Sequence, residues 1–287
     1  MTREADPPTA VEQTSAKMDD RRWAVEVNSA SCVFQHRKGH LVHALRDVTF
    51  TVEPGEFVCI VGPSGHGKTT LLRVIAGLQR PSGGSVTAGG RVVDGPGADR
   101  PMVFQQDTVF PWMHVRDNVE FGLRSNGTAK DERQRRSEYW LKAVGLDTFA
   151  DSWPKELSGG MRKRVALAAV LALGTDVILM DEPFGSLDYF TRRSLHELLL
   201  ELWAETRNTI FFVTHDLEEA LILADRVLLI KNGELVDDLK VGLPRPRDED
   251  VRARAEAVEL QKVILGHLGF GAETLDDRWV SAEDADA

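Results

Sequence analysis

The first apolar runs of the chain are short and close together: Ala24 to Val27, Ser31 to Phe34, Val48 to Val52 and Phe57 to Val61. Each reads as a strand, and the last, almost wholly apolar, predicts a strand covered on both faces. Glu53-Pro54-Gly55 reads as the turn before it. A helical pattern follows over Leu71 to Leu78, then a loop at Arg80 to Gly84 and a short β pair over Ser85 to Val93, centred on Gly89-Gly90. Beyond Gln105 the texture becomes helical, with Val115 to Leu123 and Lys130 to Val144 carrying charged outer faces. Met161 to Leu173 predicts a helix, Val177 to Met180 a buried strand, and Thr191 to Glu205 a helix. Thr209 to Val213 (strand), Leu217 to Ala224 (helix) and Val227 to Ile230 (strand) lead to a hairpin over Asn232-Gly233. Strands alternating with helices predict an α/β core around a mostly parallel sheet, interrupted by a helical subdomain over about residues 105–164. No internal repeat is visible.

This divides the chain into three parts. Residues 1–22 mix Pro, Thr and charged residues without periodicity and are expected to be disordered. Residues 23–242 carry the core. Residues 243–287 begin with Leu243-Pro244-Arg245-Pro246, form a charged helix from about Val251 to His267, and end in an acidic tail.

Composition narrows the setting. The chain has 287 residues, enough for a substantial core, and a net charge of −10. Residues 270–287 carry six acids against Arg278, or −5, so half the imbalance is terminal. The balance argues against a general nucleic-acid binder, which would show a basic face. The longest apolar run, Val165 to Leu173, is far short of a membrane span. The N-terminus shows no apolar signal region. Cys32 and Cys59 are widely spaced and suggest neither metal site nor disulfide framework, so a reducing, cytoplasmic setting is expected.

The strongest chemistry lies at Gly62-Pro63-Ser64-Gly65-His66-Gly67-Lys68-Thr69-Thr70, between the apolar strand and the first helix. This is G-x-x-x-x-G-K-T in the strand-to-helix context that makes it a phosphate loop. Its glycines let successive N–H groups turn inward toward a phosphate, reinforced by the positive end of the helix. Lys68 brings a point charge for the outer phosphates, and the Thr69 hydroxyl can hold a magnesium ion. A nucleoside triphosphate is the expected ligand.

Other residues gain meaning beside that loop. Asp181 closes a buried strand, where a carboxylate is costly unless satisfied, and a magnesium ion shared with Thr69 would satisfy it. Glu182 is placed to orient or deprotonate an attacking water, with an ordinary solvated glutamate as the alternative. Leu157-Ser158-Gly159-Gly160 opens a helix with a capping serine and bare N–H groups, a commonplace pattern on its own. His215 stands just past a buried strand and could reach a γ-phosphate or be structural. Gln105 alone is uninformative. Phe34 could stack on an adenine or fill the core.

Taken in order, Gly62 to Thr69, Gln105, Leu157 to Gly160, Asp181-Glu182, Ser186-Leu187-Asp188 and His215 resemble the nucleotide-binding subunits of ABC transporters over about Val25 to Val236. Within that family the chain is most similar to the ATPases of nitrate, sulfonate and taurine importers, through Asp94 to Gly97, Met102 to Asp107, Phe110-Pro111-Trp112, Val115 to Asn118 with Phe121 to Leu123, and Asp181 to Gly185. The resemblance implies a P-loop NTPase (RecA-like) core with an antiparallel β subdomain and an inserted α-helical subdomain. It implies that two copies sandwich two ATP molecules, each ATP lying on one copy's phosphate loop and capped by the other's Ser158, Gly159 and Gly160, with Asp188 at the junction. Phe34 would be the adenine platform and His215 would grip the γ-phosphate. Magnesium would lie among Thr69, Gln105 and Asp181. Lys68, Gln105, Glu182 and His215 would make up the catalytic set.

The segment from about Asp107 to Val119 would receive a coupling helix of a transmembrane permease subunit, itself served by an extracytoplasmic solute-binding protein. The chain would then sit on the cytoplasmic face of the membrane. Met161 and Ala169 depart from the usual Gln and Arg, and neither removes a phosphate ligand. Two rivals stand beside this reading. One is the ATPase of a lipid-moving or export system. The other is a soluble ABC-type ATPase acting on nucleic acid, which would carry a coiled-coil insertion or two tandem cassettes.

Overall fold

The structure, a computed structural model, describes residues 24–35, 39–106, 109–247, 250–251 and 254–269. The two tails discussed above lie outside these residues. Strands β1 (Val25–Gln35), β2 (Leu41–Val52) and β3 (Phe57–Val61) lead into helix α1 (Lys68–Ile75). Next come β4 (Gly83–Ala88), β5 (Arg91–Val92), β6 (Met102–Val103), α2 (Val115–Ser125), α3 (Lys130–Ala143) and α4 (Gly159–Leu171). The chain continues through β7 (Val177–Asp181), α5 (Tyr189–Thr206), β8 (Thr209–Thr214) and α6 (Leu217–Leu223). It then forms β9 (Arg226–Lys231), β10 (Glu234–Lys240) and α7 (Ala255–Leu268).

The central sheet has the order β10-β9-β3-β8-β7-β6, parallel throughout except for the β9–β10 hairpin at its edge. Every residue of β3, β7 and β8 is buried. The reason is two-sided cover: Phe57, Cys59 and Val61 face the helical side, while Val58 and Ile60 pack with α1 and a second sheet. That second sheet is antiparallel, in the order β2-β1-β4-β5. The hairpin turn has Asn232 and Gly233 both at positive φ, 53° and 82°, as a two-residue turn matched to strand twist requires.

Two strand boundaries differ from those expected. The runs Ala24 to Val27 and Ser31 to Phe34 are one strand, bulged where Ser29 sits at φ 49° and the register with β2 shifts. Strand β2 begins at Leu41 rather than Val48, because Val42 and Leu41 pair with Phe34 and Gln35. The helical layer is built by α2, α3 and α4, through Val115, Val119, Leu123, Trp140, Leu141 and Val165. Helix α4 runs unbroken past residue 164 to Leu171.

Parallel pairing decides where the chemistry gathers. Val61 aligns with Thr214, and Asp181 with Val213, so the segments leaving β3, β7 and β8 emerge side by side at the carboxyl ends of the strands. The carboxyl ends of the strands are where ligands bind in open α/β sheets.

The stretch after β10 is bound to the domain. Buried Arg247 donates to the carbonyls of Leu243, Leu221, Ala224 and Val241, and burial lowers its pKa to about 10. Arg245 pairs with Asp225 at 2.7 Å and stacks on Trp203. Arg247→Met strips these carbonyls of their donor and is expected to destabilise the fold by about 2–4 kcal/mol, read from the urea midpoint.

Candidate functional site

The phosphate loop takes its shape from two close approaches. A Cβ at Gly62 would lie 2.0 Å from the Ile230 carbonyl oxygen, and one at Gly67, φ 107°, 2.4 Å from that of Ala44. Neither position admits a side chain. Between them, Pro63, Ser64, Gly65 and His66 span the turn into α1. Asn232 N donates to His66 Nδ1 at 3.0 Å and Gly233 N to the His66 carbonyl at 3.0 Å, so the distant hairpin braces the loop from outside. Beside it lies a groove of about 520 Å³, lined by His43, Ala44, Gly65, His66, Asn232 and Gly233 among others. Phe34, paired with Val42 at the rim, is 40% exposed and so is no core residue.

Lys68 is buried, its ammonium donating to the carbonyls of Gly62 at 2.7 Å and Pro63 at 3.0 Å. Burial pulls its pKa below the usual lysine value, opposed by the charges of Glu182 and Asp181. Thr69 Oγ1 donates to Asp181 Oδ1 at 2.8 Å across the gap between α1 and β7. Burial raises the Asp181 carboxyl above its ordinary value against this hydrogen bond and the nearby Arg73 and Lys68 charges. A buried acid beside a hydroxyl favours a cation.

Glu182 follows immediately, at φ 43°. A positive φ is uncommon for glutamate, and such strain persists where surrounding structure holds it. Its N–H donates to Val213 O at 3.0 Å, and the next turn is anchored by fully buried Phe184. The Glu182 carboxylate Oε2 accepts from Gln105 Nε2 at 3.3 Å and lies 3.2 Å from His215 Nδ1. Three segments far apart in sequence thus converge on one carboxylate.

A second group forms at the start of α4 and α5. Ser158 caps α4, its Oγ accepting from Met161 N at 3.3 Å. Asp188 caps α5 through Thr191 N at 3.0 Å and Thr191 Oγ1 at 2.6 Å, and these bonds hold its carboxyl below the ordinary aspartate range. A Cβ on Gly160 would meet Thr191 Cγ2 at 2.5 Å, so the two caps are packed together. Gly159 lies beside Leu187 in the same contact.

One supporting residue escapes the sequence reading. Buried Lys163 donates from Nζ to the Gln105 carbonyl at 2.8 Å, steadying the segment that carries Gln105. The signal was present: Lys163 falls with Gly160, Leu167 and Val170 on the buried stripe of α4. The bracing by Ala44 and Asn232 left no such mark, because packing between the two sheets brings them to the loop.

A phosphate loop on a parallel sheet, with a buried aspartate on its threonine and a glutamate directly after that aspartate, defines a P-loop nucleoside triphosphatase. A profile of the ABC transporter family matches residues 45–185. The chain is 47% identical over 222 residues to the nitrate import ATP-binding protein NrtD of Synechocystis, covering 77% of this chain and 83% of that one. To the taurine import ATP-binding protein TauB of Rhizobium johnstonii it is 49% identical over 251 residues, 85% and 96% of the two chains. Its fold is similar to the dimeric, ADP- and Pi-bound ATP-binding cassette MJ0796, with a TM-score of 0.68 at 31% identity over 77% of this chain and all of that one. It is similar also to cbiO1 of Clostridium perfringens, with a TM-score of 0.70 at 26% identity over 86% and 98%. The chain belongs to the ATP-binding subunits of ABC transporters and is an ATP-hydrolysing enzyme. Among the described residues no helix is long and apolar enough to cross a membrane.

Proposed function

We propose that this chain powers an ABC importer for a small oxyanion or sulfonate-type organic solute, of the nitrate and taurine class. The names of the two import relatives support that class. The observation that carries the chemistry is the Glu182 carboxylate, held between Gln105 and His215 beside the Thr69–Asp181 pair.

In this reading the triphosphate lies on the N–H groups of Gly62 to Thr70, with Lys68 against its outer phosphates and Phe34 under the adenine. Thr69, Asp181 and Gln105 would hold magnesium, which would supply positive charge against the phosphates. The buried Asp181 carboxylate paired with the Thr69 hydroxyl fits a hard cation of this kind, which takes oxygen donors. Glu182 orients a water and accepts its proton as the water oxygen bonds to the γ-phosphorus. The bond from that phosphorus to the ADP oxygen breaks, and His215 holds the γ-phosphate. Ser158, Gly159, Gly160 and Asp188 meet the nucleotide of a second copy, a reading supported by the dimeric MJ0796 cassette.

The domain is read as residues 23–242, peripheral to the cytoplasmic face and attached to permease subunits that an extracytoplasmic binding protein supplies. The docking surface is the turn before α2. There Phe110 packs on Phe121 at 4.6 Å and on Trp112 at 5.5 Å, and Trp112 is 67% exposed. Asn118 holds the turn through the Phe110 N–H at 2.7 Å and the carbonyls of Phe110, Met113 and His114. The adjoining apolar cavity, about 150 Å³, is lined by Ala169, where an arginine would intrude.

In proteoliposomes with the permease and binding protein, Phe110→Ala and Trp112→Ala are each expected to lower uptake about tenfold or more, as for anchor side chains. ATP turnover by the detached subunit should stay near the wild-type rate. Unaltered uptake by both variants would move the docking surface elsewhere. Taurine or nitrate uptake in the same vesicles tests the solute class, and transport of neither sets it aside.

A further inference from the structure

We propose that His196 and Glu219 form a buried positioning pair for His215, acting through the hydroxyl of Thr214. The proposal rests on the reading of His215 as the γ-phosphate contact.

His196 Nε2 lies 3.0 Å from Glu219 Oε1, with both side chains 9% exposed. The other oxygen of Glu219 accepts a short hydrogen bond from Thr214 Oγ1. That same Oγ1 accepts from Asp216 N at 3.0 Å. The residues before and after His215 are therefore both tied to one hydroxyl, and that hydroxyl is tied to the buried pair. His215 itself is 59% exposed at its side chain and reaches out to Glu182. The turn is rigid where it is buried, and only the imidazole projects.

The polar atoms of this network reach the His215 turn through Thr214, while Glu219 also sits in the acidic first turn of helix α6. That helix already has its own cap, with Asp216 Oδ1 accepting from Glu218 N at 2.9 Å. Burial would raise the Glu219 carboxyl, but the hydrogen bonds from His196 and Thr214 outweigh it and hold the pKa below the usual glutamate value. Glu219 is accordingly a carboxylate at neutral pH and an acceptor for Thr214. A buried hydrogen-bonded polar pair adds little net stability over apolar residues of equal volume, so stability gives no reason to place one here.

The neighbours of His196 extend the argument. Phe184, two residues past Glu182, packs its ring on His196 at 5.6 Å. Arg192, one turn earlier on α5, lies 3.6 Å from Asp216 Oδ2 and donates to the Leu187 carbonyl at 2.9 Å. The Glu182 turn, the Ser186 to Asp188 loop and the His215 turn thus share one face of α5. A shift of that helix would move His215 against the γ-phosphate.

The test uses Thr214→Val, close in shape and suited to a strand, and Thr214→Ser, which keeps the hydroxyl. Thr214→Val should lower kcat about tenfold or more with the KM for magnesium-ATP nearly unchanged, since small misplacement is costly in rate. Thr214→Ser should restore most of kcat. His196→Leu should reproduce the valine defect, and the double variant should be no worse than either single, as for one shared pathway. Wild-type kcat in Thr214→Val would overturn the proposal. So would parallel losses of kcat, ATP affinity and Tm that serine fails to rescue, the pattern of a merely structural residue. His215→Ala separates the two levels: if it is inactive while Thr214→Val is normal, only the positioning role fails. If His215→Ala turns over normally, the γ-phosphate reading itself fails.

Discussion

Glu182→Gln is expected to lower kcat by about 10²–10⁴, the range for losing a positioned general base. The amide has almost the same volume as the carboxylate, and its oxygen still accepts from Gln105 Nε2, now 3.3 Å from Glu182 Oε2. Backbone strain at φ 43° is unchanged, because the substitution leaves the chain path alone. What disappears is a group able to take a proton from water. ATP affinity should therefore stay close to wild type, while a magnesium-ATP dimer accumulates on size exclusion because its nucleotide is not consumed. Phosphate release in a single turnover measures the first effect directly. Hydrolysis within about threefold of wild type would remove Glu182 from the role of base.

Lys68→Ala should have the second largest effect, on binding rather than on the chemical step alone. The ammonium is buried and held at 2.7 and 3.0 Å by the carbonyls of Gly62 and Pro63, within the loop whose N–H groups would face the phosphates in the proposed reading. Its removal withdraws a desolvated charge, a class of truncation costing about 2–5 kcal/mol, or on the order of 10²-fold in ATP affinity. Titration with a fluorescent ATP analogue reads this out. Unchanged affinity would contradict the phosphate-loop assignment. The loss should exceed that of Thr69→Val, which removes one hydroxyl from the Asp181 pair and leaves the loop charge in place.

Much of this was legible before any coordinates. The phosphate loop, the cap at Ser158 and the Asn232-Gly233 hairpin are local: each needs only neighbouring residues with the right torsions or side-chain reach, whereas the Asp188 cap of α5 emerges only from the structure. The all-apolar run Phe57 to Val61 marked a doubly covered strand for the same reason. Errors came where pairing overrode the local pattern. Polar Asn28 and Ser29 look like a break between strands, yet β2 and β4 pair on both sides and carry the strand through a bulge. Exposed Leu41 to His43 lack a strand signature, and pairing with the end of β1 supplies one. Met102–Val103 was read as motif only and is a strand because it pairs with Leu179 and Met180. The final helix begins at Ala255 rather than near Val251, and Val251 is instead buried in the core.

By itself, then, the order of residues pointed to the chemistry: a loop suited to phosphates, an acid suited to a cation, an acid suited to water, and a capped helix start at Ser158. Each depends on contacts within a few residues of chain. The tertiary structure decided which of these meet. Parallel register carried Thr69 to Asp181, and Glu182 to His215 and Gln105, across separations that no periodicity encodes. It also buried His196, Glu219 and Thr214 behind His215 and folded Arg247 back into the core. The physical reason is range: torsional preference and capping act along the chain, whereas desolvation and sheet pairing act between segments brought together only by folding.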